Sequence, residues 1–381
     1  MIIKNCKIIY TDKIEEGAVL INEGKIEKIY ETLDNMESIV GQEMLDAEGL
    51  YLSPGFIDVH IHGAGGYDTM DGTCEAINEI SKAIAKHGTT SFLPTTMTVS
   101  IDEINKSVHA IKELKEKGTD GAHVLGAHLE GPFVSPKAIG AQNPKHVLKP
   151  SINVYEKMTE GCQDAVVSIT LAPEEDGAEE LIKYVSSKGV KCSAGHTKAD
   201  YETMMKSIEW GISHSTHLYN VMTQFTHREP GVVGAIFDSN ITTETIADGI
   251  HISYPALRIA YKQKSTDKVL LISDSMMACC MKDGNYFLGG QEVMVKYGSA
   301  RLKNGALAGS VLTIDKAVKN VYENCHIPLY EIVKMATYNS AVYCNVQNHK
   351  GLIKEGYDAD LLLFDEHINI KNVFINGIKY K

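Results

Sequence analysis

Arginine occurs three times in 381 residues, at Arg228, Arg258 and Arg301. Lysine and arginine together number 37 against 49 acidic residues, a net charge of −12, and no basic cluster or tail stands out from that background. A protein that neutralises a polynucleotide backbone needs such a patch, so nucleic acid is excluded as the expected partner. Long apolar runs are missing too: none approaches the about 20 residues of a membrane-spanning helix. The N-terminus, MIIKNCKIIYTDKIEEG, alternates apolar and polar residues as a strand does and a signal peptide does not. No membrane partner is expected. The eight cysteines, at 6, 74, 162, 192, 279, 280, 325 and 344, include no CxxC pair, and without a secretory leader they read as reduced thiols of a cytoplasmic protein. Cys279 and Cys280 read as loop packing, because neighbouring cysteines rarely bridge. No Gly-rich phosphate turn opens a helix, and GAGG at 63–66 reads as a flexible loop.

What is present is the composition of a globular protein with a large core, 44% hydrophobic and 23% charged. From Met1 to about Leu52 the chain shows short strands and Gly-marked turns, and the last thirty or so residues have the same character. Neither end is long enough to bury a sheet alone, so 1–52 and 350–381 are expected to pair into one small β domain. Between them, over 53–349, apolar runs alternate with amphipathic stretches such as CEAINEISKAIAKHG and IDEINKSVHAIKELKEKG. Eight strand candidates occur there: GFIDVHI, TSFLPTT, HVLGAHLEG, AVVSITLAP, GVKCSAGH, ISHSTHLYN, ITTETIADG and VLLISDS. The expected fold is an α/β (β/α)₈ TIM-type barrel, which these units fit better than a doubly wound sheet.

The polar residues that end those strands carry the chemistry. The first ends in His60-Ile61-His62, and a period of two puts both imidazoles on one face. The third ends in His128-Leu129-Glu130, the fifth in His196, the sixth in His214 and His217, the seventh in Asp248 and His251, and the eighth in Asp274. In a barrel all these ends share the C-terminal rim, where active sites of the fold are built. One histidine at a strand end is usually a hydrogen-bonded structural group. Agreement among six strand ends is a different observation. His87, His109, His146, His326, His349 and His367 lie in predicted helices or loops and read as solvated or locally bonded. Cys192, four residues before His196, lies too deep to share an ion and reads as core. Nitrogen and carboxylate donors without thiolates suit Zn²⁺ or Fe²⁺ with an open coordination position.

PGFIDVHIHG (54–63), followed by strand-end Glu, His, His and Asp, resembles the amidohydrolase superfamily of metal-dependent barrel hydrolases. Seven further motifs are HLEGPF (128–133), SAGHT (193–197), HLYNVM (217–222), REPGVVGA (228–235), ADGIH (247–251), SDSM (273–276) and LAGS (307–310). Their combination resembles, from end to end, that superfamily's N-acetylglucosamine-6-phosphate deacetylase family. The resemblance implies hydrolysis of the acetamide of N-acetyl-D-glucosamine 6-phosphate to glucosamine 6-phosphate and acetate, in amino-sugar catabolism, by a homodimer. It implies Glu130, His196 and His217 as primary metal ligands and Asp274 as the catalytic acid/base. Family members hold one or two ions, and the presence of His60 and His62 points to a second. Substrate contacts are implied at Ala141, Gln142, Asn220, Val221, Arg228, Asp248, Gly249, Ile250, His251, Leu307, Ala308 and Gly309. Position 142 is often histidine in the family and glutamine here, a departure that bears on one substrate hydrogen bond.

The reaction makes its own demands. Metal coordination lowers the pKa of bound water from about 15.7 to about 7. Asp274 would take the proton and return it to the departing amine, while the metal and a nearby imidazole such as His251 stabilise the oxyanion. The planar donor fork of Arg228 suits a phosphate dianion as a lysine does not. The competing readings are a deacetylase of the galacto epimer, another amidohydrolase, and a metal-free scaffold. Cyclic-amide members usually bridge two metals with a carbamylated lysine where the third strand here offers Glu130, and a scaffold would lack the ligands that this chain has.

Overall fold

The computed structural model describes residues 1–31 and 43–381; the stretch 32–42 of the predicted N-terminal β segment lies outside the described residues. Eight parallel strands carry the middle of the chain: β1 (Phe56–Ile61), β2 (Thr89–Pro94), β3 (Ala127–Glu130), β4 (Val166–Leu171), β5 (Lys191–Ala194), β6 (Ile212–Ser215), β7 (Thr242–Ile246) and β8 (Val269–Ile272). Each falls on one of the eight runs read from the sequence. β1 and β2 pair in one arc, and β3 to β8 follow in chain order in the other. Parallel bridges Thr95↔His128 and Ile61↔Ser275 join the two arcs, so the eight strands close into a barrel.

The helices between strands show why this sequence folds this way. In Cys74–Ala85, Ile77, Ile80 and Ile84 recur on one stripe and are buried, and Thr73 caps the N-terminus by accepting from the Ala76 N–H at 3.2 Å. Ile101–Lys117 opens on a capping box between Ser100 and Glu103, buries Ile104, Val108 and Ile111, and ends with Lys115 and Lys117 at the negative end of its dipole. Truncating Ile111 to alanine would cost about 2–5 kcal/mol, the price of a core cavity.

The barrel interior is less apolar than its outer layer. Thr170, Ser193 and Thr216 link their hydroxyls at 2.6–2.7 Å, and His128 Nε2 joins Thr170 Oγ1 at 2.7 Å. This satisfied polar layer forms a floor beneath the rim, and every member is buried.

Outside the barrel, strands from both ends of the chain share one sheet. Leu361–Phe364 runs antiparallel to Tyr51–Pro54, which lies beside Ile2–Ile9. A separate three-stranded meander, Gly284–Leu288, Gln291–Lys296 and Ser299–Leu302, follows β8. The sequence reading did not anticipate it. Its position is functional: the Gln291 side-chain amide donates to Ala141 O at 2.6 Å, which draws the meander over the rim.

Candidate active site

Three residues at strand ends have a backbone that directs them onto the barrel mouth. His196, His217 and Asp274 have φ of 49°, 29° and 47°, in the left-handed region that non-glycine residues seldom occupy. Each lies just past β5, β6 or β8, where the turn swings the side chain over the rim. His196 Nδ1 donates to Ala138 O at 3.1 Å and His217 Nδ1 to Asn220 O at 3.2 Å. A carbonyl oxygen only accepts, so the proton of each neutral ring is on Nδ1 and the lone pair on Nε2. Those two Nε2 atoms are 3.2 Å apart and lie 3.2 and 3.1 Å from Glu130 Oε1. Two lone pairs and an anion facing one another are stable only around positive charge, and this nitrogen and oxygen donor set fits a divalent cation.

A second convergence adjoins the first. His62 Nδ1 donates to Thr95 O at 3.2 Å, and its Nε2 lies 3.2 Å from Asp274 Oδ1 and 3.3 Å from Glu130 Oε2. His60 Nε2 is 3.3 Å from His62 Nε2 and 3.5 Å from Asp274 Oδ1. Glu130 therefore links the two groups: Oε1 faces His196 and His217 and lies 3.5 Å from His60 Nε2, and Oε2 faces His62. The facing carboxylates favour the charged form of both rings. Burial opposes that, but Glu244, Asp274 and Glu130 raise His60 to about 9, and Asp274 and Glu130 hold His62 well above its usual value. Burial likewise works against the charge of Glu130, yet His60 and His196 keep it well below the usual carboxylate range. The cluster calls for positive charge, from protons or from an ion.

Glu244 on β7 is the residue that the sequence reading missed. It is fully buried, and its carboxylate accepts from His60 Nδ1 at 3.0 Å, His214 Nε2 at 3.2 Å and the His217 N–H at 3.1 Å. Burial would raise its pKa, but the facing imidazoles of His60 and His214 hold it well below the ordinary value. The available signal was an acidic residue alone in the middle of a buried strand, ITTETIADG. A third convergence, of His60, His128 and Glu244, is equally buried. Both ring nitrogens of His128 are already taken there, Nδ1 by Thr95 Oγ1 at 3.3 Å and Nε2 by Thr170 Oγ1 at 2.7 Å, so it serves the floor.

A cavity of about 70 Å³ opens above these groups, and it gathers most of the predicted positions: His62, Glu130, Ala141, Gln142, His196, His217, Asn220, Val221, His251, Asp274, Leu307 and Gly309. Met97 and Leu288, which were not predicted, complete the wall. A larger cavity of about 520 Å³, between Tyr10, Pro54, Thr337 and Lys354, contains none of the strand-end imidazoles. Gln142 is buried and committed at both ends: Oε1 accepts from the Thr98 N–H at 2.7 Å and Nε2 donates to Glu130 Oε2 at 2.6 Å. Asp248 uses its carboxylate within its own turn, accepting from the Ile250 and His251 N–H groups and from His251 Nδ1 at 2.7–2.8 Å. His60 lies a layer below the cavity. Gly249 and Ile250 are exposed beyond it, and Ala308 is buried behind it with its N–H on Ala300 O at 3.1 Å. Arg228 is exposed outside the wall and has no ion pair among the described residues.

Comparison with known proteins agrees with this construction. The sequence signature of the Amidohydrolase family matches residues 51–379. N-acetylglucosamine-6-phosphate deacetylase of Lysinibacillus sphaericus is 40% identical over 370 residues, covering 97% of this chain and 94% of its own. N-acetylgalactosamine-6-phosphate deacetylase of Escherichia coli O157:H7 is 34% identical over 333 residues, covering 87% of this chain and 88% of its own. The crystal structure of N-acetylglucosamine-6-phosphate deacetylase from Pasteurella multocida superposes with a TM-score of 0.94 at 29% identity, covering 99% of this chain and 98% of that one. With its closed parallel barrel, its rim of imidazoles and carboxylates, and relatives matched over nearly their whole length, the chain belongs to the amidohydrolase family, among the N-acetylglucosamine-6-phosphate deacetylases.

Proposed function

We propose that this protein hydrolyses the acetamide of N-acetyl-D-glucosamine 6-phosphate, releasing acetate and D-glucosamine 6-phosphate. The observation that carries the reading is the convergence of His196 Nε2, His217 Nε2 and Glu130 Oε1 within 3.2 Å of one another at the rim. Glu130, His196 and His217 would hold the primary ion, with His60, His62 and Asp274 facing a second; Zn²⁺ or Fe²⁺ suits these donors. A bound divalent ion supplies Lewis acidity, making water acidic and the acetyl carbonyl electrophilic.

The chain's own residues do the rest. A carboxylate oxygen of Asp274 takes a proton from the attacking water as the C–O bond forms, and delivers it to the sugar nitrogen as the C–N bond breaks. Its backbone holds it in place: the Asp274 N–H donates to His60 O at 2.9 Å, and its carbonyl accepts from the Ser310 N–H at 2.7 Å. His251 gives Nδ1 to Asp248 and leaves its other ring nitrogen to the cavity that it lines, in position to hydrogen-bond the sugar or its acetyl oxygen. Asn220, Val221, Leu307, Gly309 and Ala141 shape the remaining wall, and Gln142 acts on the sugar indirectly, by holding Glu130. Arg228 is the proposed reader of the phosphate, and the segment Asp248 to Ile250 and Ala308 are the remaining proposed substrate contacts. The catalytic barrel is assigned to 53–349 and the companion β domain to 1–52 with 350–381. A homodimer working in the cytoplasm is the proposed setting, on the family resemblance and the eight free thiols.

The test is acetate release from the gluco and galacto 6-phosphates and from unphosphorylated N-acetylglucosamine, in the wild type and Arg228→Ala. The gluco 6-phosphate is expected to be the best substrate; preference for the galacto epimer, the activity named for the Escherichia coli relative, would replace it. A charge-assisted contact is worth about 1.5–3 kcal/mol, so the variant should lose about 10–150-fold in kcat/KM on the phosphorylated sugar and little on the other. An unchanged ratio of the two sugars assigns the phosphate elsewhere.

A further inference from the structure

Exposure divides the wall of the cavity above the rim into an open and a closed end. Asn220, Val221, His251, Leu307 and Gly309 are partly exposed. Met97 and Leu288, to which the mechanism gives no part, are each 2% exposed, as buried as Glu130 and Gln142. Met97 also stands next to the reacting groups. Its Sδ is 3.8 Å from Gln142 Nε2, the atom that donates to Glu130 Oε2.

The two apolar side chains reach this end from separate elements. Met97 lies in the loop after β2, where its N–H donates to Met70 Sδ at 3.4 Å. Leu288 ends the first strand of the meander and pairs with Gln291, whose side chain is bonded to Ala141 O. The preceding N–H, of Phe287, donates to Met277 Sδ at 3.3 Å. Gly289 follows Leu288 and rests on Met97: a methyl group on its α-carbon would stand 3.4 Å from Met97 Cβ and Cε. Met97 and Leu288 therefore form one apolar corner, in which the methionine can adjust its rotamer and the leucine is fixed by its strand.

The proposed substrate has the same division. Its amide carbon must reach Asp274 and the group of Glu130, His196 and His217, all of them buried. Its sugar and phosphate need room and polar partners, which the open end offers in Asn220 and His251. The acetyl methyl is bonded directly to the reacting carbon and cannot hydrogen-bond, so an apolar corner beside the buried groups is the surface that suits it.

Building on the deacetylase reading, we propose that Met97 and Leu288 form the acyl pocket and restrict the enzyme to short N-acyl groups. The acetyl methyl fills the corner. The further carbons of a propionyl or butyryl group meet Leu288, which the meander holds in place.

The test measures release of glucosamine 6-phosphate from its N-acetyl, N-propionyl and N-butyryl derivatives by the full-length, metal-loaded protein. One methylene in an apolar pocket is worth about 10–200-fold in kcat/KM, so the propionyl compound should fall below the acetyl by that factor and the butyryl compound further. Leu288→Ala and, independently, Met97→Ala should each raise the propionyl-to-acetyl ratio by at least about tenfold, while Leu288→Met, which conserves volume, should leave it near the wild-type value. The ratio is taken within one preparation, so it does not depend on how much of a variant folds. Equal turnover of acetyl and propionyl substrates by the wild type, or a ratio unchanged in both alanine variants, overturns the pocket and leaves the deacetylase reading standing. No turnover of any acyl derivative, the galacto epimers included, overturns that reading and the pocket with it.

Discussion

Two imidazole nitrogens 3.2 Å apart, each with its proton committed to a carbonyl on the other side of its ring, are the smallest unit from which this site can be understood. His196 and His217 are made into ligands by Ala138 O and Asn220 O, which decide the tautomer before any ion arrives. Gln142 acts on the carboxylate in the same way, giving Glu130 Oε2 a donor at 2.6 Å so that Oε1 faces the imidazoles. Asp274 has a different task, moving a proton. Asp274→Asn preserves shape but cannot shuttle that proton, and kcat should fall by about 10²–10⁴-fold with KM little changed. Steady-state kinetics of acetate release read this directly. A loss confined to KM would move Asp274 from proton transfer to substrate binding.

Strands and their ends act as units. β1 supplies two histidines because alternate residues share a face, and β5, β6 and β8 each end in a left-handed residue that turns one side chain onto the rim. β7 contributes from below. Glu244 holds His60, His214 and the backbone of His217 at once, so it links the two ligand groups. Glu244→Gln keeps the volume, removes the charge and turns one acceptor into a donor facing an imidazole. Metal retention against a competing chelator should weaken by about 10–100-fold, the usual consequence of losing an outer-shell partner, while the barrel stays folded by circular dichroism. Unaltered retention would leave Glu244 a purely structural group.

At the scale of the molecule, the terminal sheet is tied down where the chain enters the barrel. Asp360 precedes Leu361–Phe364; its carbonyl accepts from the Gly55 N–H at 2.8 Å, just before β1, and its carboxylate pairs with the buried Lys350. Burial opposes the charge of Asp360, but His123 and Lys350 lower its pKa to about 2. A carboxyl lowered by folding stabilises above its unfolded pKa of about 3.9, and that contribution is lost as pH falls towards 2. Asp360→Asn should cost a sizeable part of the about 3–5 kcal/mol of a broken buried pair at pH 7, reduced because Asp358 still faces Lys350 at 3.0 Å. Urea unfolding at pH 7 and pH 2.5 checks it: the gap between wild type and variant should narrow at the lower pH. A gap independent of pH would trace the loss to packing.

The eight strands and their imidazole and carboxylate ends were readable from sequence because their causes are local. A short apolar run between amphipathic stretches reports a buried strand, and the fold rule that gathers strand ends on one rim makes candidates of whatever polar residues stand there. The meander over 284–302 is also local, with Gly-Gly and Tyr-Gly turns, but exposed apolar residues, Phe287 and Met294, sit beside its buried Leu288, Val293 and Val295 and blur the apolar–polar alternation. Which candidates converge was decided only by closure of the barrel. Glu244 and His60 are 184 residues apart and meet at 3.0 Å, and His87 finds Asp315 across 228 residues. Sequence periodicity says which face a side chain occupies. Distance and tautomer depend on contacts between remote segments, and those exist only once the apolar core has brought the segments together.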